Sequence, residues 1–169
     1  AVMTSNASSE TRQPNYRPGY VIAGQDVYLK LEQHVTNPRN PDYVPVYSFG
    51  IYKNGTDRRV GGINFRSGSN EHIDFYAGNI GYTIIPLHRG NAYAAKACAL
   101  LKDFIHTLGF ESVIITCNPD NLPSKRICEK IGARYIDHVK IPKYDALYRI
   151  GEREKYRFEW RVGDFQDKS

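Results

Sequence analysis

The sequence predicts an α/β (α+β) fold: a mixed, largely antiparallel central sheet of about six to seven strands flanked by helices. Three observations carry this expectation. The first half holds short apolar runs separated by turn formers, as hairpins do. The second half interleaves two helix-period segments with short β-branched runs. The last run alternates strictly, with Tyr156, Phe158, Trp160 and Val162 set against Lys155, Arg157, Glu159 and Arg161.

Taken in order, residues 1–18 are rich in Ser, Thr, Asn, Gln and Pro and read as a flexible tail, leaving 19–169 as a single domain. Residues 27–31 form a short strand, followed by Thr36-Asn37-Pro38-Arg39-Asn40-Pro41, too rich in proline for a helix. In residues 45–52, Tyr47, Phe49 and Ile51 share one strand face. Asn54-Gly55 is a turn signal, and 60–65 is the returning strand of a hairpin. Residues 80–85 form a strand ended by Pro86. The clearest helix is 91–108, where Ala94, Ala97, Cys98, Leu101, Phe104, Ile105 and Leu108 recur at three- and four-residue steps and Gly109 stands at the C-terminal cap. Residues 112–117 read as a strand of the kind a parallel sheet buries on both faces. A second helix spans 120–131, closed by Gly132, and the last strands are 135–141 and 156–162.

Composition narrows the function. At 169 residues the chain fits one domain. No apolar run approaches the roughly 20 residues of a membrane helix, so no membrane partner is expected and a cytoplasmic setting is the default. Cys98, Cys117 and Cys128 are odd in number, never spaced C-x-x-C, and set among apolar neighbours. They read as buried, inert thiols rather than disulfide or zinc ligands, and no histidine pair has metal-ligand spacing, so no metal is expected. The net charge of +5, 23 basic against 18 acidic residues, admits an anionic partner, either nucleic acid or a phosphate-rich cofactor. Dispersed basic residues and the lack of an RNP-type string argue against nucleic acid.

The chemistry concentrates in Ile80-Gly81-Tyr82-Thr83-Ile84-Ile85-Pro86-Leu87-His88-Arg89-Gly90-Asn91-Ala92-Tyr93-Ala94. A strand stops at proline, crosses a basic loop of small residues and enters a long helix. The first amides of a helix have no internal partner and sit at the positive end of its dipole, where a pyrophosphate fits. Gly90, Ala92 and Ala94 would let the backbone approach phosphates, and Arg89 places a cation at the loop's mouth. Many strand–turn–helix joints look similar and bind nothing. The chain carries neither G-x-x-x-x-G-K-[ST] nor G-x-G-x-x-G, which argues against a P-loop and a Rossmann site.

At these residues the chain resembles the GNAT N-acetyltransferase superfamily. Arg89-Gly90-Asn91-Ala92-Tyr93-Ala94 takes the place of the family's pyrophosphate loop, [QR]-x-x-G-x-[GA], with Ile84 and Pro86 ahead of it. Asn121-x-x-Ser124-x-x-Ile127-Cys128-Glu129-Lys130-x-Gly132 is similar to its second signature. The style is closest to the ribosomal-protein-alanine acetyltransferase-like subgroup. Three departures stand out. Ala92 replaces the loop's usual glycine, which is tolerable if the residue keeps helical dihedrals. Cys128 replaces a tyrosine thought to protonate the departing thiolate. The Pro-rich segment 36–45 replaces the helices that wall the acceptor side.

The resemblance implies an acyltransferase moving an acetyl group from acetyl-CoA, the co-substrate, to a primary amine by direct attack; the acceptor is a small molecule or a protein N-terminus. It implies a wedge between strands 80–85 and 112–117, with cofactor contacts at Thr83, Ile84, Ile85, Arg89, Gly90, Asn91, Ala92, Tyr93, Ala94, Asn121 and Ser124. The Ile84 N–H would polarise the thioester, and Asn121 would assist or merely start a helix. Ser124 is either a CoA contact or a surface serine, and Cys128 a core thiol rather than an acid. The general base is open among Thr83, Tyr82, Glu71, Asp74, Tyr148 and Glu152. Residues 36–45 and 142–152 would grip the acceptor. The alternatives are a catalytically inactive acyl-CoA-binding domain of the same fold and, further off, a nucleic-acid-binding module. A homodimer is compatible with the resemblance.

Overall fold

The computed structural model describes residues 16–40 and 43–163. Its mixed α+β architecture agrees with the expected class, but among the described residues the strands number eight and divide into two hydrogen-bonded sheets. β1 (Val21–Ile22), β2 (Val27–Val35), β3 (Val46–Lys53), β4 (Arg59–Arg66) and β5 (Ile80–Ile84) form an antiparallel five-stranded sheet in chain order. β6 (Ser112–Cys117), β7 (Arg134–Lys140) and β8 (Glu154–Arg161) form a three-stranded sheet with β8 in the centre. β2 runs four residues beyond the expected 27–31, because Gln33, His34 and Val35 find ladder partners in Ser48, Tyr47 and Val46.

Helix α1 (Tyr93–Thr107) lies across the five-stranded sheet. Its buried stripe of Ala94, Ala97, Cys98, Leu101, Phe104 and Ile105 meets Leu29, Phe49, Ile51, Ile63 and Phe65 in one core. Phe104 sits edge-on to both Tyr47 and Phe49, with ring centroids 5.2 and 5.0 Å away. Each such fully buried side chain contributes roughly 1.5–3 kcal/mol. Of the expected tail, residues 1–15 lie outside the described residues; Tyr16 packs on Phe104, and its hydroxyl lies 2.9 Å from Thr107 Oγ1.

β6 departs from expectation. It pairs antiparallel with β8 and buries only Val113, Ile115 and Cys117, the alternate residues. One face packs on the core while the other stays partly open, so no doubly covered parallel strand forms. Helix α2 (Leu122–Lys130) packs against α1 and β6. A π-helical turn (His72–Ala77) and a four-residue helix α3 (Ala146–Arg149) are also present. Neither was expected, since each is too short to carry a hydrophobic period.

The two sheets join through Asn79, which is 4% exposed. Its backbone N–H donates to Ile114 O at 2.7 Å, and its Oδ1 accepts from Ile114 N–H at 2.9 Å. Its Nδ2 donates to Arg66 O at 2.9 Å and Gly68 O at 3.0 Å. Asn79→Ala would strand one amide and two carbonyls in the interior. We expect a loss of about 3 kcal/mol, read as a lower urea midpoint at unchanged m-value; a loss under about 1 kcal/mol would show that the join lies elsewhere.

Candidate functional site

β5 is the last strand of its sheet, and its alternation decides which backbone groups are free. Arg66 N–H donates to Asn79 O, and Ile85 N–H donates to Val60 O at 2.9 Å. In an antiparallel ladder the residues between must point their N–H and C=O the other way. Tyr82 and Ile84 therefore present backbone groups along the open edge, while Thr83 and Ile85 face β4. Of the expected strand contacts Thr83, Ile84 and Ile85, only Ile84 turns its backbone groups to the open edge, and Tyr82, not among them, does so as well.

Beyond Ile84 the chain makes a 3-10 turn (Pro86–His88), and α1 begins at Tyr93. Gly90 has φ +90°, and Ala92 has φ +59° and ψ +27°. Ala92 thus does not keep helical dihedrals: the reversal from β5 into α1 passes through a left-handed residue, and the helix starts two positions later than expected. The first bond into α1 runs from Lys96 N–H to Ala92 O at 3.1 Å. The amides of Tyr93, Ala94 and Ala95 precede it and open toward the loop.

These features converge on a cleft of about 630 Å³. Thr83, Ile84, Arg89, Gly90, Ala92, Tyr93, Ala94, Asn121 and Ser124 line it, together with Tyr82, His88, Pro123 and Ile127, and no acidic side chain among the described residues does. Ile85 and Asn91 fall outside. The Ile85 amide is spent on Val60, and Asn91 Nδ2 donates to His88 O at 3.0 Å, closing the loop. Arg89 Nε donates to Ile84 O at 3.2 Å, so its charge is drawn against β5 instead of standing at the mouth. Open amides, a cation and the absence of carboxylates fit a polyanionic cofactor arm. His88 and Pro123 lay inside motifs the sequence already displayed. Ile127 is a named position of the second signature, although it was not among the expected cofactor contacts.

Asn121 caps α2, its Oδ1 accepting from Ser124 N–H at 3.1 Å, which leaves Nδ2 as its free donor. Ser124 is buried, not a surface serine, and its Oγ lies 2.6 Å from Tyr82 Oη. Burial raises the Tyr82 hydroxyl well above its usual range, keeping it protonated. Cys128 is fully buried, and burial pushes its thiol up to about 12, as it does Cys98.

A second cavity of about 320 Å³ shares Tyr82, Asn121 and Ser124 with the cleft. It is polar, with Arg66, Thr116, Asn118, Glu152 and Lys155 in its wall. Of the acids considered as bases, Glu152 alone lines it. Its Oε1 accepts from Asn118 Nδ2 at 3.4 Å, and its Oε2 lies 3.1 Å from Lys155 Nζ, close enough to pair but poorly aligned for a hydrogen bond. Glu71 accepts from Tyr76 and Tyr144 hydroxyls, and Asp74 accepts from Ser69 Oγ. Tyr148 lies under the Arg153 guanidinium, 3.7 Å from its ring centroid. The late segment 142–152 supplies Leu147 and Glu152 to this wall, whereas no described residue of 36–45 reaches it.

The left-handed Ala92 yields a test. An L-residue there costs about 1–2 kcal/mol, so Ala92→Gly should raise stability by up to about 1 kcal/mol once glycine's chain entropy is offset. Acetyl-CoA affinity should not fall. Denaturant titration and calorimetry check both, and a destabilised glycine variant would contradict the assigned backbone.

The chain matches the family described as Acetyltransferase (GNAT) domain over residues 7–134. Among curated relatives it is 32% identical over 98 residues to the uncharacterized N-acetyltransferase YnaD of Bacillus subtilis (strain 168), a stretch covering 56% of this chain. The chain spans about half the length of that relative, 55%. Among solved structures, the acetyltransferase (GNAT family) from Bacillus anthracis superposes with a TM-score of 0.53 at 26% identity, over 69% of this chain and 67% of that one. RimL, the ribosomal L7/L12 alpha-N-protein acetyltransferase, in complex with coenzyme A shares the fold with a TM-score of 0.61 at 12% identity, over 84% and 98% of the two chains. With a family match over most of its length, laid on two sheets that part beside a helix N-terminus, the chain belongs to the GNAT acetyltransferase family.

Proposed function

We propose that the protein transfers an acetyl group from acetyl-CoA to a primary amine without a covalent enzyme intermediate. One observation carries this reading: a cleft bordered by free helix amides and a polar cavity holding one carboxylate meet at Tyr82, Asn121 and Ser124. Two reactants entering from opposite sides would come together there, and holding them in register supplies much of the rate. The coenzyme A complex of RimL supports the cofactor, and that protein's action on a protein α-amine supports an amine acceptor. A cytoplasmic setting belongs to the same reading. Among the described residues no helix is long and apolar enough to cross a membrane.

In this reading the diphosphate lies against the amides opening α1, beside Arg89 and His88. The thioester carbonyl accepts from the Ile84 N–H, a contact worth ~3 kcal/mol to the developing oxyanion. The amine nitrogen forms the new N–C bond as the C–S bond breaks. Glu152 takes the amine's proton, and the thiolate leaves with the bonding pair and is protonated by solvent, since burial holds the Tyr82 hydroxyl protonated. Cys128, with its thiol raised by burial, plays no part as an acid.

Calorimetric titration of acetyl-CoA, followed by thiol release over an amine panel, tests the proposal. Wild type should bind acetyl-CoA, while Gly90→Glu, which adds a negative charge and a side chain at φ +90°, should bind it at least tenfold more weakly. Equal affinity in the two proteins would remove the central assignment. Glu152→Gln should lower kcat/KM by about 10²–10⁴-fold with acetyl-CoA affinity unchanged. Cys128→Ala should stay within about tenfold of wild type, about 1.4 kcal/mol; a thousandfold loss in a folded variant would make the thiol the acid after all.

A further inference from the structure

Beyond the seam, the polar cavity continues into a third hollow of about 460 Å³ on the face of β4 turned away from Ile63 and Phe65. The two hollows share Arg66, Gly81 and Tyr82. Other charges in their walls are matched: Glu152 lies 3.1 Å from Lys155, and Arg59 is held at 2.7 Å by Glu32. Arg66 is different. No acidic side chain among the described residues pairs with it; Nη1 donates to Gly78 O at 3.1 Å and more weakly to Ala77 O at 3.4 Å.

Those two carbonyls fix the guanidinium without neutralising it. Its plane lies across Gly81, where an added Cβ would come within 3.0 Å of Nη2 and 3.4 Å of Nη1. The strand leaves room for this one side chain. Arg66 is thus a half-buried, pre-positioned cation with donors left over on the acceptor side of the seam. An arginine in such a setting matches a carboxylate or phosphate by paired N–H···O bonds.

Resting on the acetyl-transfer reading, we propose that the acceptor is an amine that also carries an anionic group, and that Arg66 binds that group while the amine faces Glu152. The acceptor class then contains acidic peptide N-termini, amino acids and amino-phosphates. Polyamines and polycationic amino sugars are disfavoured at the same wall, because an additional ammonium would meet the unmatched charge of Arg66.

Matched amines test this: serine–aspartate against serine–asparagine dipeptide, both C-terminally amidated so that only the aspartate carries a carboxylate, and phosphoethanolamine against ethanolamine, with spermidine as the polycation. Thiol release gives kcat/KM, and calorimetry on coenzyme A-saturated protein gives binding independent of turnover. The anionic member of at least one pair should be favoured tenfold or more, and which pair shows it separates carboxylate from phosphate. Arg66→Gln should shrink that ratio to within twofold, Arg66→Lys should keep part of it, and acetyl-CoA affinity should stay within twofold throughout. Should Arg66→Gln fail to fold, Gly81→Ala crowds the guanidinium instead and should lower the same ratio. Equal or better use of neutral amines and spermidine overturns the proposal. So does a ratio unchanged in the folded variants, or no binding of any anionic amine by protein that binds acetyl-CoA. Failure of wild type to bind acetyl-CoA would instead overturn the acetyl-transfer reading beneath it.

Discussion

Asn79 joins the five-stranded sheet to the three-stranded one with two bonds to Ile114 and two to the carbonyls of Arg66 and Gly68. At that residue, just before β5, the chain is held on both sides. From Ile80 onward β5 pairs only with β4, and among the described residues no ladder links β5 to β6. A buried edge would cost unsatisfied amides and carbonyls, so the parting is stable only where the exposed edge meets solvent or a ligand that can pair with it. The cleft and the polar cavity both lie along that stretch, and Tyr82, midway along β5, borders both.

A second set of unpaired amides comes from the start of α1, and the distance between the two sets is governed by residues 85–92. Pro86 ends the strand, Gly90 and Ala92 turn the chain through left-handed conformations, and Arg89 ties the loop back to the Ile84 carbonyl. The strain of Ala92 is tolerated because the helix it opens is anchored further on by a fully buried Leu101, Phe104 and Ile105 stripe. Packing far from the site therefore holds a costly backbone geometry at the site.

Most elements were legible because their signals are local. The α1 stripe, the Asn54-Gly55 hairpin and the β8 alternation are all set by neighbours within a few residues. What escaped has a long-range cause. β1 is two residues long and exists only because Lys30 and Leu29 lie opposite it. The split into two sheets turns on one asparagine whose partner stands 35 residues away. Lys155 fell on the polar side of the β8 alternation, yet it is 8% exposed because that face closes over a cavity. The loop side of the cleft was readable as one contiguous stretch of chain. The polar cavity was not, since its wall gathers Arg66, Tyr82, Asn118 and Glu152 from four separate stretches. Ala92 shows the limit from the other direction: its methyl group argued for helical dihedrals, and only the geometry of the β5-to-α1 reversal decides otherwise.

The segment between β7 and β8 shows how a loop can place a carboxylate with the rigidity of a sheet. Asp145 is 5% exposed, accepts the Leu147 amide through Oδ1 and lies 2.7 Å from His72 Nδ1 through Oδ2. One carboxylate thus caps α3 and also fastens the segment to the π-helical turn before β5. Glu152 N–H then donates to Leu147 O at 3.0 Å, and Lys155, already in β8, lies beside its carboxylate. Glu152 is therefore referenced to β5 through the His72 turn and to β6 through Asn118, the two elements whose separation forms the cleft. Any shift that widened the gap between the sheets would carry the carboxylate with one of them, so the join at Asn79 and the fastening at Asp145 together set the distance across which a proton would have to move.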